Sequence, residues 1–130
     1  MLATRLDLVY SIIKLARYTS NPSSIYANVV KRVFRYLKGF IDLGIYIKWN
    51  INNSYYINGY YDTDYAGDLA IYKSTSGYIF YIGNFPFMWK SKLQSIIAQS
   101  STESEYIAIN TAAKEAIYIK YILSELDLYK

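Results

Sequence analysis

Partway along this chain the spacing of apolar residues changes, and that change restricts the fold more than any other feature. Up to about residue 43 the apolar positions recur at helical spacing. From Tyr55 they alternate at period two, and from Ser100 to about Asp127 the helical period returns without a Gly or Pro to break it. Helices, then strands, then one long helix imply a mixed α+β (α/β) class, with antiparallel strands packed by the last helix. A chain of 130 residues suffices for one domain with a real core plus a short extra segment. The period change divides it into 1–50, helical, and 51–130, strands and a helix.

In the first part Leu8, Ile12 and Leu15 share a face, with Val9, Ile13 and Ala16 beside it. "TSNPSS" stops that helix, with Asn21 as N-cap and Pro22 at the first position of the next. There Val30, Val33, Phe34 and Leu37 recur at i, i+3, i+4, i+7, and Gly39 ends the run. Lys31, Arg35 and Lys38 fall on the other side. "GIYIKW" (Gly44–Trp49) reads as a strand and "NINNS" as the turn after it.

In the second part Tyr56, Asn58, Tyr60, Asp62 and Asp64 lie on one strand face. "STSGYIFYIGNFPFMWKSK" holds two apolar-aromatic runs separated at Gly83-Asn84, a hairpin, with Pro86 near the start of the second run. Ile96–Ala98 is a further short strand or a continuation. Along the long helix, Ala108, Ala112, Ala116, Ile119, Leu123 and Leu126 form the expected buried stripe, with Ile109 on its shoulder.

Chemistry is restricted by what is missing. There are no cysteines and no histidines, so thiol nucleophiles, thiolate zinc sites, serine–histidine triads and imidazole ligands are all excluded. Carboxylates suit a hard, oxygen-loving ion such as Mg²⁺. They cluster in "YDTDYAGD", where Asp62, Asp64 and Asp68 fall within seven residues. Glu105 projects into the buried stripe of the long helix. Ser100 with Glu103, and Thr102 with Glu105, have capping-box spacing; the first pair better explains the start of the helix, which leaves Glu105 unexplained by capping. Formal charge is +6 over residues 1–50 and −2 over residues 51–130, which gives the net +4. A basic helix face beside an acid-bearing part fits a polyanion, and a plain solvated face fits the same numbers. Neither a signal peptide nor an uninterrupted apolar run of membrane-spanning length is visible, so the expected setting is intracellular, cytoplasm or nucleus, with no membrane partner.

Two stretches carry a family resemblance: "YYDTDYAGDLAIYKSTSGYIFYIG" and "WKSKLQSIIAQSSTESEYIAINTAAKEAIYI". They resemble the ribonuclease H region of copia-type retrotransposon Pol polyproteins. "ATRLDLVYSIIKLARYTSNPS" and "VVKRVFRYLKGFIDLGIYI" resemble the segment connecting reverse transcriptase to that region. The match departs at Leu6, where the family usually has Pro, and at Ile25-Tyr26, where it has His-Trp. The resemblance implies a truncated ribonuclease H-like fold and hydrolysis of RNA in an RNA–DNA hybrid with two Mg²⁺ or Mn²⁺ ions held by carboxylates. By the same resemblance Asp62 and Glu105 are catalytic and metal-binding. Asp64 matches a family acid without carrying a catalytic role, and is expected to support Asp62 or the turn; Lys31, Arg32, Arg35 and Lys38, the basic helix face, are the residues expected to meet nucleic acid. The family's remaining acids lie on a fourth strand and beyond, after Lys130, and Met1 falls inside a family motif. The expectation is therefore a fragment that is inactive in isolation, binds metal weakly, and has a strand edge at Tyr55–Asp64 open to self-association. The alternative is a non-catalytic nucleic-acid-binding remnant.

Overall fold

Three strands joined by short turns need one face covered, and the long helix after them covers it. A computed structural model of the chain describes residues 4–47, 56–68 and 70–127. Clustering of contacts divides it into two units, Met1–Asn52 and Asn53–Lys130. Among the described residues no helix is long and apolar enough to cross a membrane.

In the first unit a 3₁₀ turn, Leu6–Leu8, runs into helix α1, Val9–Ala16, and after a break helix α2 spans Ser24–Gly39. The break differs from the expected one. Ser23 (φ −88°, ψ 163°), not Asn21, holds the N-cap position, so α2 begins two residues beyond Pro22 with no side-chain cap. Extended backbone at Ser23 accounts for the delay. The packed side of α2 is Val33, Tyr36 and Leu37, all half-buried, while Phe34 stays 64% exposed. The face is thus rotated from the expected Val30–Phe34 row, and a clasp at Tyr36 accounts for it. Arg5 donates from Nε and Nη2 to Asp7 (3.0 and 2.8 Å) and from Nη1 to the Phe40 carbonyl (3.1 Å). Its guanidinium lies 5.9 Å from the centre of the Tyr36 ring. Gly44–Ile47 is not a strand, because a lone extended segment has no partner for its N–H and C=O groups. The rest of the expected strand and the "NINNS" turn lie outside the described residues.

The second unit is an antiparallel meander of strands β1 (Ile57–Asp68), β2 (Lys73–Ile82) and β3 (Phe85–Leu93), in spatial order β1-β2-β3. The expected hairpin is present: Gly83, at φ 58°, supplies the left-handed residue of the Gly83-Asn84 turn. Phe80 pairs with Met88 and Tyr81 with Pro86, so Phe87 is an extra residue and the strand bulges just after its proline. Ile96–Ala98 forms no strand; it is irregular chain leading into the helix, with Ala98 buried.

Helix α3 spans Ser101–Glu125. Its start is the expected reciprocal cap: Ser100 Oγ accepts from the Glu103 N–H (3.1 Å), and Glu103 Oε2 accepts from the Gln99 N–H (2.7 Å). Ser104, Ala108, Ala112 and Ile119 are buried along its inner face, over Tyr78 and Phe80 of β2, with Ile57, Phe87, Met88 and Leu123 packed around them. Ala116 and Ile109 are exposed, lying ~80–100° from Ala108 at ~100° per residue, and Leu126 falls beyond the helix end. The stripe is therefore narrower than the periodicity suggested.

Two outcomes follow. Arg5, and then the Tyr36 hydroxyl, hold the Asp7 carboxyl down to about 2. A depressed carboxyl stabilises the first unit fully above its unfolded value of about 4, and that contribution fades as pH falls toward 2. Amide exchange in α1 and α2 should accelerate over this acid window in the wild type, and Asp7→Asn should show the faster exchange already at pH 7. In the second unit, a Cβ at position 59 would overlap the Phe80 ring (2.8 Å to Cδ1), which is itself held under α3. Gly59→Ala should destabilise by about 1–3 kcal/mol through overpacking, read as a lowered thermal midpoint.

Candidate functional site

The acids of "YDTDYAGD" are carried on a strand whose two sides can be told apart by its pairing. Gly59 and Tyr61 lie opposite Phe80 and Tyr78, the two β2 aromatics beneath α3. Asp62 lies opposite Gly77, so alternation places it with Asn58, Tyr60 and Asp64 on the side away from the helix. The Tyr60 and Tyr81 rings meet edge-on there at 6.0 Å. The expectation that these even-numbered residues share one face holds.

The Gly83 N–H donates to the Tyr56 carbonyl (3.1 Å), which fixes the even residues of β1 as those bonded to β2. The N–H and C=O groups of Ile57, Gly59, Tyr61 and Thr63 therefore point to the other edge, along which no described strand pairs. Asp62 is exposed, and its Oδ1 accepts from the Thr63 N–H (2.8 Å), so its carboxylate caps that edge.

Asp64 precedes an irregularity in which Tyr65–Gly67 face only Ser74 of β2. Ala66 sits at φ 50° and donates its N–H to Ser74 Oγ (3.1 Å). The Asp64 carboxylate lies so close over Gly67 that a Cβ there would overlap it. Asp68 is buried and accepts from the Ala70 N–H (3.1 Å). These two acids shape the bulge and the turn after it.

Glu105 is exposed on the second turn of α3, ~60° round from Ala108, and does not enter the buried stripe as its spacing suggested. Its neighbour Ser104 is the residue that turns inward. Gln94, 5% exposed, donates from Nε2 to the Ser104 carbonyl (2.9 Å) and to Ser76 Oγ (2.8 Å), and Ser76 pairs with Thr63. The head of α3 is thereby fixed at the level of Thr63. Asp62 lies on the sheet face away from α3, and Glu105 is exposed on the head of α3, next to the Ser104 that Gln94 holds. Among the described residues no three acidic groups gather.

Gln94, Ser76 and Ser104 carried no signal in the sequence, since a buried amide in a connecting segment belongs to neither period. The same is true of Glu115, whose carboxylate lies 3.7 Å from Lys90 of β3. Burial first, and then the bond to Glu115, push the Tyr78 hydroxyl's pKa up, so it remains a protonated donor.

In the first unit Lys31, Arg32, Arg35 and Lys38 are all exposed within two turns of α2. Lys31, Arg35 and Lys38 fall within ~60° of one another, opposite the Val33–Leu37 side. None of the four is paired to a carboxylate among the described residues.

Comparison with known proteins finds relatives along nearly the whole chain. It is 41% identical over 125 residues to the retrovirus-related Pol polyprotein from transposon RE2 of Arabidopsis thaliana, covering 96% of this chain and 8% of that protein. It is 36% identical over 130 residues to the retrovirus-related Pol polyprotein from transposon TNT 1-94 of Nicotiana tabacum, covering 100% of this chain and 10% of that one. The secreted RxLR effector protein 161 of Plasmopara viticola is 36% identical over 119 residues, covering 92% of this chain and 82% of that protein. Over nearly its whole length the chain is thus homologous to retrovirus-related Pol polyproteins from copia-type transposons, and it spans about a tenth or less of the length of those polyproteins. No family model matches it, and no solved structure does.

Proposed function

We propose that this chain is the reverse transcriptase connection and ribonuclease H segment of a copia-type Pol polyprotein, and that it binds nucleic acid backbone without hydrolysing it. The observation that supports this reading most directly is the placement of Asp62 and Glu105. Both match the family's catalytic acids; Asp62 caps the Thr63 amide on the open β1 edge, and Glu105 is exposed beside Ser104, the residue that ties the head of α3 to the level of Thr63. In the complete family protein a further strand brings its own acid to that edge, and the Asp62 and Glu105 carboxylates then have a third partner around which Mg²⁺ or Mn²⁺ can bind. Two acids without a third would hold such an ion weakly, since affinity follows the number and charge of the ligands. The reading thus joins two expectations, the ribonuclease H lineage and silence in isolation.

Nucleic-acid binding rests on the four exposed cations of α2. Fixed on two turns of one helix, they can follow a phosphate backbone, and nothing in their arrangement reads base edges. Affinity for an RNA–DNA hybrid should be weak, indifferent to sequence and steeply dependent on salt. Replacing Lys31, Arg35 and Lys38 together by Gln should reduce the salt slope by about two to three. A slope left unchanged would make this face ordinary solvated surface.

The hydrolysis test uses a labelled RNA–DNA hybrid with the purified chain in millimolar Mg²⁺ or Mn²⁺. Wild type and Asp62→Asn should leave the RNA equally intact. Cleavage by the wild type that Asp62→Asn abolishes would show that the chain completes its own metal site.

A further inference from the structure

The open edge of β1 and the flank of α3 above it are complementary to themselves. Glu115 reaches Lys90 of β3, and Ile107 and Thr111 are half-buried, so that flank of α3 lies toward β3. The opposite flank carries Glu105, Ile109, Ala116 and Lys120, all exposed, and since α3 packs on β1 and β2 it is the flank on the β1 side. A charge of one sign stands at its head and a charge of the other sign near its tail, with two apolar residues between.

We propose that two copies of this chain associate through this edge. Their β1 strands pair antiparallel about a two-fold axis at Tyr60, and their α3 helices pack flank to flank on the same face of a continuous six-stranded sheet. The strand register follows from which groups face outward. Gly59 and Tyr61 present N–H and C=O to the edge, so each bonds the other's counterpart across the axis. In that register Asp62 faces Asn58 of the second copy and Asp64 faces its Tyr56, so no two carboxylates oppose each other. Ile57 of one copy meets Thr63 of the other at the end of the ladder, where Asp62 now caps the amide.

The helices reach the same solution independently. Antiparallel flanks align Glu105 with Lys120 of the second copy, and Ile109 with its Ala116, about an axis midway between Ala112 and Ala113. That point lies over Tyr60, since Ser104 is fixed at the level of Thr63 and Leu123 packs in the cluster with Ile57. The spacing also closes. Strands about 4.8 Å apart, with α3 straddling β1 and β2, put the two helix axes about 10 Å from each other, within the range of direct helix contact.

The test is sedimentation of the 130-residue chain across a concentration series, for the wild type, Glu105→Lys, Lys120→Glu and the double swap. A reversible dimer is expected, with each single reversal raising the dissociation constant about tenfold and the double swap restoring it. Amides of Gly59 and Tyr61 should exchange more slowly as dimer forms. Monomer at every concentration would overturn the proposal, and so would a dimer indifferent to both reversals or one that leaves the Gly59 and Tyr61 amides unprotected. A double swap that recovers association also shows that the single variants had not merely unfolded.

Discussion

The contact between Phe80 and Gly59 beneath the alanines of α3 is the one on which the second unit depends. A three-stranded meander has too little width to bury a face on itself, so it needs a helix lying close. Ser104, Ala108 and Ala112 let α3 approach because they project little, and the aromatic rings of Tyr78 and Phe80 fill the space that remains. For the Phe80 ring to lie flat against the neighbouring strand, position 59 must carry no side chain. Once α3 is seated there, Ser104 comes to Gln94 and Glu105 is carried to the outer flank. The candidate site inherits its geometry from packing, not from any attraction between its acids.

The first unit has an equivalent dependence on Arg5. One guanidinium spans Asp7, the Phe40 carbonyl and the Tyr36 ring, joining the start of the unit to the end of α2. Drawing Tyr36 inward turns α2 about its axis. Val33 and Leu37 follow, Phe34 is left outside, and Lys31, Arg35 and Lys38 face water. The cationic face is thus a consequence of where the clasp grips, and its cations are held apart from the acids of their own unit.

Much of this was legible in the residues, and the failures have a common cause. The hairpin, the even-numbered face of β1 and the Ser100–Glu103 cap were all readable because each is decided by residues near in sequence. Glu105, Phe34 and Ala116 were misplaced because the angular centre of a helix stripe depends on what it packs against, and a quarter-turn's error of phase is invisible when apolar residues occupy most of the helix. The expected strand at Gly44–Ile47 failed for a related reason: alternation proposes a strand, but only a partner makes one. Gln94 could not be foreseen at all, since its role depends on a loop returning to the helix it precedes. The family resemblance supplied the pairing of Asp62 with Glu105, which no local pattern contains.

The acids of β1 have a physical role that needs no metal. A long edge strand exposes backbone groups that invite further pairing, and natural sheets blunt such edges with charge and with bulges. Here both devices sit at one end. Asp62 caps the Thr63 amide, Asp64 folds over Gly67, and the bulge that follows turns the strand away from a regular ladder. The edge is closed from Thr63 onward and open from Ile57 to Tyr61, where Gly59 offers no side chain to obstruct an approaching strand. An incoming strand is therefore guided to a short, defined stretch whose far end carries the acids. That is the arrangement required if pairing at this edge is to complete a site, and it also limits the register in which a second copy can settle when no other strand is present.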